Sequence, residues 1–483
     1  VVLNGGFPAH HVYLVDGSPG TGKTTLALQF LNAGVARGER VLYVALSESA
    51  RELDIVAQSH GWSTDKIDVF ELAGSGPTAR EDGYTFFHPS EVELQDTMDS
   101  VFDAVERSQP QRAVFDSLSE MRLLARDPLR FRRQMLALKQ FFDRKECTVL
   151  LLDDKTAPGQ DLQLHSLAHG VIELEHVALE YGAERRRLQV RKLRGKQFRG
   201  GYHDFRIIRG GLAVYPRITS SVASALPDEV LPGEVLTSNS TELDALLGGG
   251  IHRGTSMLLT GAAGTGKSVL ATQYASAAVD RGEHVMFYLF DERRSTFERR
   301  ANALDMSLEG PGTLTLRQVE PTELSPGEFA AELRHAVERD GVSVIVIDSI
   351  NGYMQSMPEE RLLPVQVHEL LTYLANNNVT TIMTLVQRGI FGSPVDEIAD
   401  VSYLADTVVL LRYFEVHGQV RQAISVVKKR SGNHERTIRE CRVGKGGLQL
   451  GEPSKTFQGV LTGVPEFIGS PIADVALKSP RRG

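Results

Sequence analysis

The chain has 483 residues and a mass of 53.1 kDa, which at roughly 100 to 200 residues per domain allows two to four domains with sizeable cores. Apolar residues make up 41% and charged residues 24%, which excludes a disordered, collagen-like or coiled-coil chain. No apolar run approaches the roughly 20 residues that span a bilayer, residues 1–6 lack the order of a secretion signal, and a net charge of -8 disfavours a nucleic-acid partner. A soluble, cytoplasmic protein without a membrane partner is the expectation.

In chain order, residues 12–31 read VYLVDGSPGTGKTTLALQFL: an apolar strand, a glycine-rich turn, then an amphipathic helix. Gly17, Ser18, Pro19, Gly20, Thr21, Gly22, Lys23 and Thr24 satisfy the phosphate-loop pattern G-x-x-x-x-G-K-[ST], with Thr25 following in the helix. Glycines let the backbone N–H groups turn toward phosphate oxygens, and the helix N-terminus adds partial positive charge. Lys23 supplies a full charge to the β and γ phosphates, and Thr24 is a candidate Mg²⁺ ligand. A second strand in RGERVLYVALSES, 37–49, brings Glu48 to the same edge as a candidate base. Its alternative is an acid favoured by a helix N-terminus. RAVFDSLS at 112–119 ends a β-branched and aromatic run on Asp116, a candidate metal holder that could otherwise be a helix N-cap. Arg130, Arg132 and Arg133 form a basic cluster, as do Arg185, Arg186, Arg187, Arg191, Lys192 and Arg194; both read as solvated faces. Cys147 and Cys441 lack the spacing of a zinc or redox site and read as buried thiols.

The pattern then repeats. After a Ser-, Pro- and Thr-rich linker over 218–239, residues 256–275 read SMLLTGAAGTGKSVLATQYA. Here Gly261, Ala262, Ala263, Gly264, Thr265, Gly266, Lys267 and Ser268 form the second phosphate loop, followed by Val269. RGEHVMFYLFDER at 281–293 carries Asp291 and Glu292, the candidate bases, and SVIVIDSI at 343–350 carries Asp348, the metal-holding counterpart of Asp116. Lys23 with Lys267, and Glu48 with Glu292, share an offset of 244 residues, and VRKLRG at 190–195 is answered by VKKRSG at 427–432. Matched landmarks in one order mean a tandem duplication. The expected fold is α/β: two tandem P-loop domains, each a mostly parallel twisted sheet flanked by helices. The domains are expected over 1–217 and 240–463, with a tail over 464–483.

These residues together resemble the tandem-duplicated RecA-like ATPases typified by the circadian clock protein KaiC, over nearly the whole chain. The SHGW run at 59–62 and GVPEF at 463–467 extend the likeness beyond the phosphate loops. The resemblance implies ATP and Mg²⁺ as ligands and a double-ringed homohexamer. It also implies a KaiB-like or signalling protein partner, and a Lys-x-Arg pair from each copy reaching into the neighbouring subunit's site. Those pairs are Lys192 and Arg194, around Leu193 at the nucleotide, and Lys428 and Arg430. The family carries two adjacent acids after the second strand of each copy; the second copy has Asp291 and Glu292, whereas the first has Ser47 and Glu48. The resemblance further implies autophosphorylation of a Ser-Thr pair in the second copy, which falls on Ser402 and Tyr403. A nearby family threonine falls on Glu397.

Two other functions share this core. A RecA-like recombinase or helicase would need basic or aromatic channel loops, and the stretch after Asp348, NGYMQSMPEE at 351–360, is not basic. A nucleotide-sensing scaffold without catalysis is favoured by Ser47 and opposed by the acid pair of the second copy.

Overall fold

A computed structural model describes residues 1–71, 89–125, 127–154, 162–178, 182–218, 234–320, 322–355, 363–387, 402–416, 418–453, 457–458 and 466–467. It divides into two compact units, Val1–Arg217 and Ile218–Gly483.

In the first unit the strands are β1 (Val12–Gly17), β2 (Val41–Ala45), β3 (Asp68–Glu71), β4 (Arg112–Asp116), β5 (Thr148–Asp154), β6 (Gly170–Val177), β7 (Arg185–Leu193), β8 (Tyr202–Ile208) and β9 (Gly211–Tyr215). They form one sheet in the order β3-β2-β4-β5-β1-β6-β7-β8-β9. Neighbours from β3 to β6 run parallel, and those from β6 to β9 antiparallel. The central strands are continuous apolar runs because helices cover both faces. Alternation along β1 divides the core accordingly. Val12 and Leu14 pack with Phe115, Met135 and Leu138 on one face, while Tyr13 and Val15 pack with Leu28, Leu31 and Tyr43 on the other.

The second unit repeats this plan. A short pair, β10 (Val235–Leu236) and β11 (Ile251–His252), precedes β12 (Ser256–Gly261), β13 (His284–Leu289), β14 (Thr313–Gln318), β15 (Val344–Asp348), β16 (Thr380–Val386), β17 (Thr407–Val416), β18 (Gln419–Lys429), β19 (Arg439–Gly444) and β20 (Gly447–Pro453). The main sheet runs β14-β13-β15-β16-β12-β17-β18-β19-β20, the same order as in the first unit. Met257 and Leu259 face one core and Leu258 the other. Residues 234–239, read from composition as linker, are structured: Val235 and Leu236 pair with His252 and Ile251, and Leu236 is fully buried. Most of the expected tail lies outside the described residues.

Both cysteines are buried, and burial pushes each thiol up to about 12. Such thiols are inert toward metals and oxidants at neutral pH. Among the described residues no group of His, Cys, Asp and Glu could hold a metal by itself. No described helix is long and apolar enough to cross a membrane. Three arginines of the basic β7 are paired with nearby glutamates. Arg187 pairs with Glu175 at 2.9 Å, Arg186 with Glu184 at 2.8 Å, and Arg191 with Glu173.

Candidate nucleotide sites

Strand order decides which side chains meet. In the first unit β2, β4, β5 and β1 are adjacent and parallel. Their carboxyl ends therefore place Glu48, Asp116, Asp154 and Gly17 along one edge, where ligands bind in open α/β sheets. In the second unit the same edge carries Asp291, Asp348, Val386 and Gly261.

The two loops share one backbone. Gly22 and Gly266, just before each lysine, both have φ of 98°, a left-handed conformation that favours glycine. A Cβ on Gly17 would lie 2.6 Å from Thr21 Oγ1 and 2.7 Å from the Leu174 carbonyl, and one on Gly261 would run into the Leu411 carbonyl. The helices Lys23–Val35 and Lys267–Asp280 begin at the loop lysines, so their free N–H groups face the place where phosphates would lie. Thr25 and Val269 are buried in the first turns of those helices.

Both lysines are buried and curl over their own loops. Lys23 Nζ donates to the carbonyls of Gly17 at 2.7 Å and Ser18 at 3.1 Å. Lys267 Nζ donates to Gly261 at 2.8 Å and Ala262 at 2.7 Å. Burial lowers the Lys267 ammonium to about 8, with Asp348 opposing. Lys23 differs in forming an ion pair of 2.7 Å with Asp154 Oδ1.

The strand-end aspartates are held by different donors. Asp116 Oδ2 accepts from the Thr24 hydroxyl at 3.0 Å and from the Tyr43 hydroxyl at 2.5 Å. Burial raises its pKa, against the hydrogen bonds from Tyr43 and Thr24 and the charge of Lys23. The residue matching Tyr43 is Phe287, which cannot donate, and Asp348 Oδ1 instead accepts from Thr384 at 2.5 Å. The Thr24–Asp116 pair is the hard-oxygen combination that Mg²⁺ takes, and the glycine cradle with its lysine fits a polyphosphate. Ser268 sits at the matching helix position beside Lys267.

The acids after the second strand also diverge. Glu48 is half-buried, with Oε2 enclosed and without a hydrogen-bond partner among the described residues. Burial raises its pKa, reinforced by Asp116, Glu52 and Asp154 and opposed by Lys23. Glu292, its match in sequence, is clamped instead: Arg300 Nη1 lies 2.6 Å from both of its carboxylate oxygens. The residue matching Arg300 is Val56, so nothing at that position clamps Glu48. Asp291 stays exposed and accepts from the Ser349 hydroxyl. Ser117, the counterpart of Ser349, donates to Asp154 at 3.4 Å, and Ser119 donates to the same oxygen at 3.1 Å. With Ser47 in place of an acid, the first copy thus draws its second carboxylate from β5 instead of from the end of β2.

The Lys-x-Arg pairs occupy matching places, each just after a register shift in the last long strand pair, between Val171 and Ile172 and between Val408 and Val409. Such a bulge re-aims the side chains beyond it. Lys192 Nζ donates to the carbonyls of His165 at 2.6 Å and Ala168 at 2.8 Å, and Arg194 to that of Ser166 at 2.9 Å. Lys428 donates to Ser402 at 2.9 Å and Ala405 at 2.7 Å, and Arg430 to Tyr403 at 2.9 Å. Burial lowers both lysines, aided by Arg194 and Lys139 for Lys192 and by Arg430 for Lys428. Leu193 is buried between its basic neighbours. The matched hydrogen bonds make His165 and Ser166 the first-copy counterparts of Ser402 and Tyr403. Tyr403 is exposed and Ser402 half-buried; Glu397 lies outside the described residues.

Sequence reasoning missed Asp154, Arg300, Tyr43 and Thr384. Asp154 had a legible signal, since Asp153-Asp154 ends an apolar run just as Asp116 does.

A family model for the KaiC ATPase matches residues 1–219 and again 238–455. The chain belongs to the KaiC ATPase family. It is 24% identical over 480 residues to the circadian clock protein KaiC3 of Synechocystis sp., covering 96% of this chain and 92% of that protein. It is 25% identical over 481 residues to the circadian clock oscillator protein KaiC of Picosynechococcus sp., covering 97% and 90%. Likeness to the KaiC of Thermosynechococcus vestitus is 23% over 479 residues, covering 97% and 90%. The two matched segments each contain one phosphate loop, so the KaiC ATPase domain is present twice.

Proposed function

We propose that this KaiC-family ATPase hydrolyses ATP in its first copy and transfers the γ-phosphoryl group to its own side chain in its second. In the first copy Glu48 orients and deprotonates the attacking water. The observation that carries this reading is Glu48 itself, whose enclosed, unpartnered Oε2 stands beside Lys23 and Asp116. A general base needs a free oxygen at the reacting centre, and burial raises the proton affinity of this one.

In the second copy Asp291 is the base, because Arg300 occupies Glu292. The Ser402 hydroxyl, or that of Tyr403, attacks the γ phosphorus; the new O–P bond forms as the bond to the β-γ bridging oxygen breaks, ADP leaves, and the hydroxyl proton passes to Asp291. Thr24 with Asp116, and Ser268 with Asp348, would hold Mg²⁺, which neutralises charge on the phosphates when bound. Lys192, Arg194, Lys428 and Arg430 act from a neighbouring subunit of a homohexamer, where basic groups outside the loop stabilise the transferring phosphoryl. A KaiB-like or signalling protein would read the assembled state.

The test of the hydrolytic role is phosphate release by Glu48→Gln in a Lys267→Ala background. Turnover should fall about a hundredfold or more while nucleotide binding persists. Unchanged turnover would remove Glu48 from the mechanism. Light scattering with Mg-ATP should give a sixfold mass; a monomer that turns over ATP at full rate would exclude fingers supplied in trans.

A further inference from the structure

We propose that Asp154 is an internal counter-ion that sets the nucleotide affinity of the first copy, and that polyphosphate enters this site by taking Lys23 from it. This inference rests on ATP being the ligand of the first phosphate loop. Lys23 and Asp154 are 2.7 Å apart, with side-chain exposures of 8% and 24%. The pair is therefore shielded, and its attraction is less screened than that of a surface pair. Asp154 is held in place by Ser117 and Ser119, which donate to its other oxygen.

Its position follows from the sheet. Asp154 is the last residue of β5 and stands opposite Gly17, the first residue of the loop, in the parallel ladder. The second copy places Val386 opposite Gly261 in the same register. Valine cannot pair with an ammonium, and among the described residues no carboxylate forms an ion pair with Lys267. The same edge carries Asp16 where the second copy has Thr260, and Asp153 where it has Leu385. Those two acids are engaged elsewhere, Asp16 with His165 at 2.6 Å and Asp153 with Arg122. Asp154 is thus the added acid that meets the loop lysine.

The consequence is a difference between copies at equal phosphate chemistry. A triphosphate binding to the second copy gains Lys267 directly. Binding to the first must exchange one anionic partner of Lys23 for another, and must leave Asp154 close to phosphate oxygens of like charge. The first copy therefore fills at higher ATP concentration than the same loop would without Asp154.

The experiment is equilibrium titration of the full-length chain, silenced in the second copy by Lys267→Ala, with Mg-ATP, Mg-ADP and adenosine. Asp154→Asn should tighten ATP about tenfold, which is roughly 1.4 kcal/mol. ADP should tighten too, adenosine should be unmoved, and Asp154→Glu should retain the parent affinity. The reciprocal change Val386→Asp, in a chain silenced by Lys23→Ala, should weaken ATP at the second copy. Unchanged or weaker ATP binding in Asp154→Asn, with adenosine binding intact, overturns the counter-ion role alone. Absence of ATP binding in the parent and in every variant overturns the nucleotide reading together with it.

Discussion

Arg300 and Asp154 show how single residues set the two sites apart. Arg300 takes Glu292 out of play and leaves Asp291 at the second site, whereas Val56 leaves Glu48 free at the first. Lys267 adds a consequence for pH. Its ammonium is lowered to about 8 by burial, and phosphate binds the charged form and so raises it again. ATP affinity at the second copy should therefore be level below pH 8 and fall as pH rises through it, approaching tenfold per unit. Titrating nucleotide into Lys23→Ala between pH 7 and 9.5 measures this; an affinity flat across that range would contradict a desolvated lysine.

The elements were legible in proportion to how local their signals are. Both phosphate loops, the strand-end aspartates and the duplication are written in contiguous residues, and they organise the fold that was expected. What stayed hidden depends on neighbours that sequence does not list. Asp154 reaches Lys23 only because β5 lies beside β1 in the sheet, and Arg300 reaches Glu292 only because the helix Arg294–Ala303 turns back over the strand end. The composition of 234–239 suggested a linker, but two apolar residues there pair with Ile251 and His252. At this scale the helix Ala50–Ser59, which starts two residues after Glu48, is fixed by a capping box: Ser49 Oγ accepts from Glu52 N, and Glu52 Oε2 accepts from Ser49 N at 2.8 Å. The matching helix in the second copy has Arg293 at its N-cap and no side-chain cap. Ser49→Ala should cost about 1 kcal/mol and lower the melting temperature of the first unit by about 2–4 °C. No loss in a thermal melt would mean that packing alone holds this helix.

On the scale of the whole molecule, one nine-stranded plan occurs twice with the same strand order and is furnished differently each time. The first unit has an unclamped glutamate and an ion-paired loop lysine; the second has a clamped glutamate, an exposed aspartate and, among the described residues, a loop lysine without an ion pair. Each holds, through its Lys-x-Arg pair, the backbone of a segment just before β6 in the first unit and β17 in the second. In the second unit that segment carries Ser402 and Tyr403; in the first, His165 and Ser166 stand there. The proposed hydrolytic first copy and self-modifying second copy rest on this division. Intact and peptide mass spectrometry after incubation with Mg-ATP, with Asp291→Asn as the control, tests it most directly. The account expects covalent phosphate on Ser402 or Tyr403 that disappears in Asp291→Asn, and release of free phosphate without any covalent phosphate would contradict it.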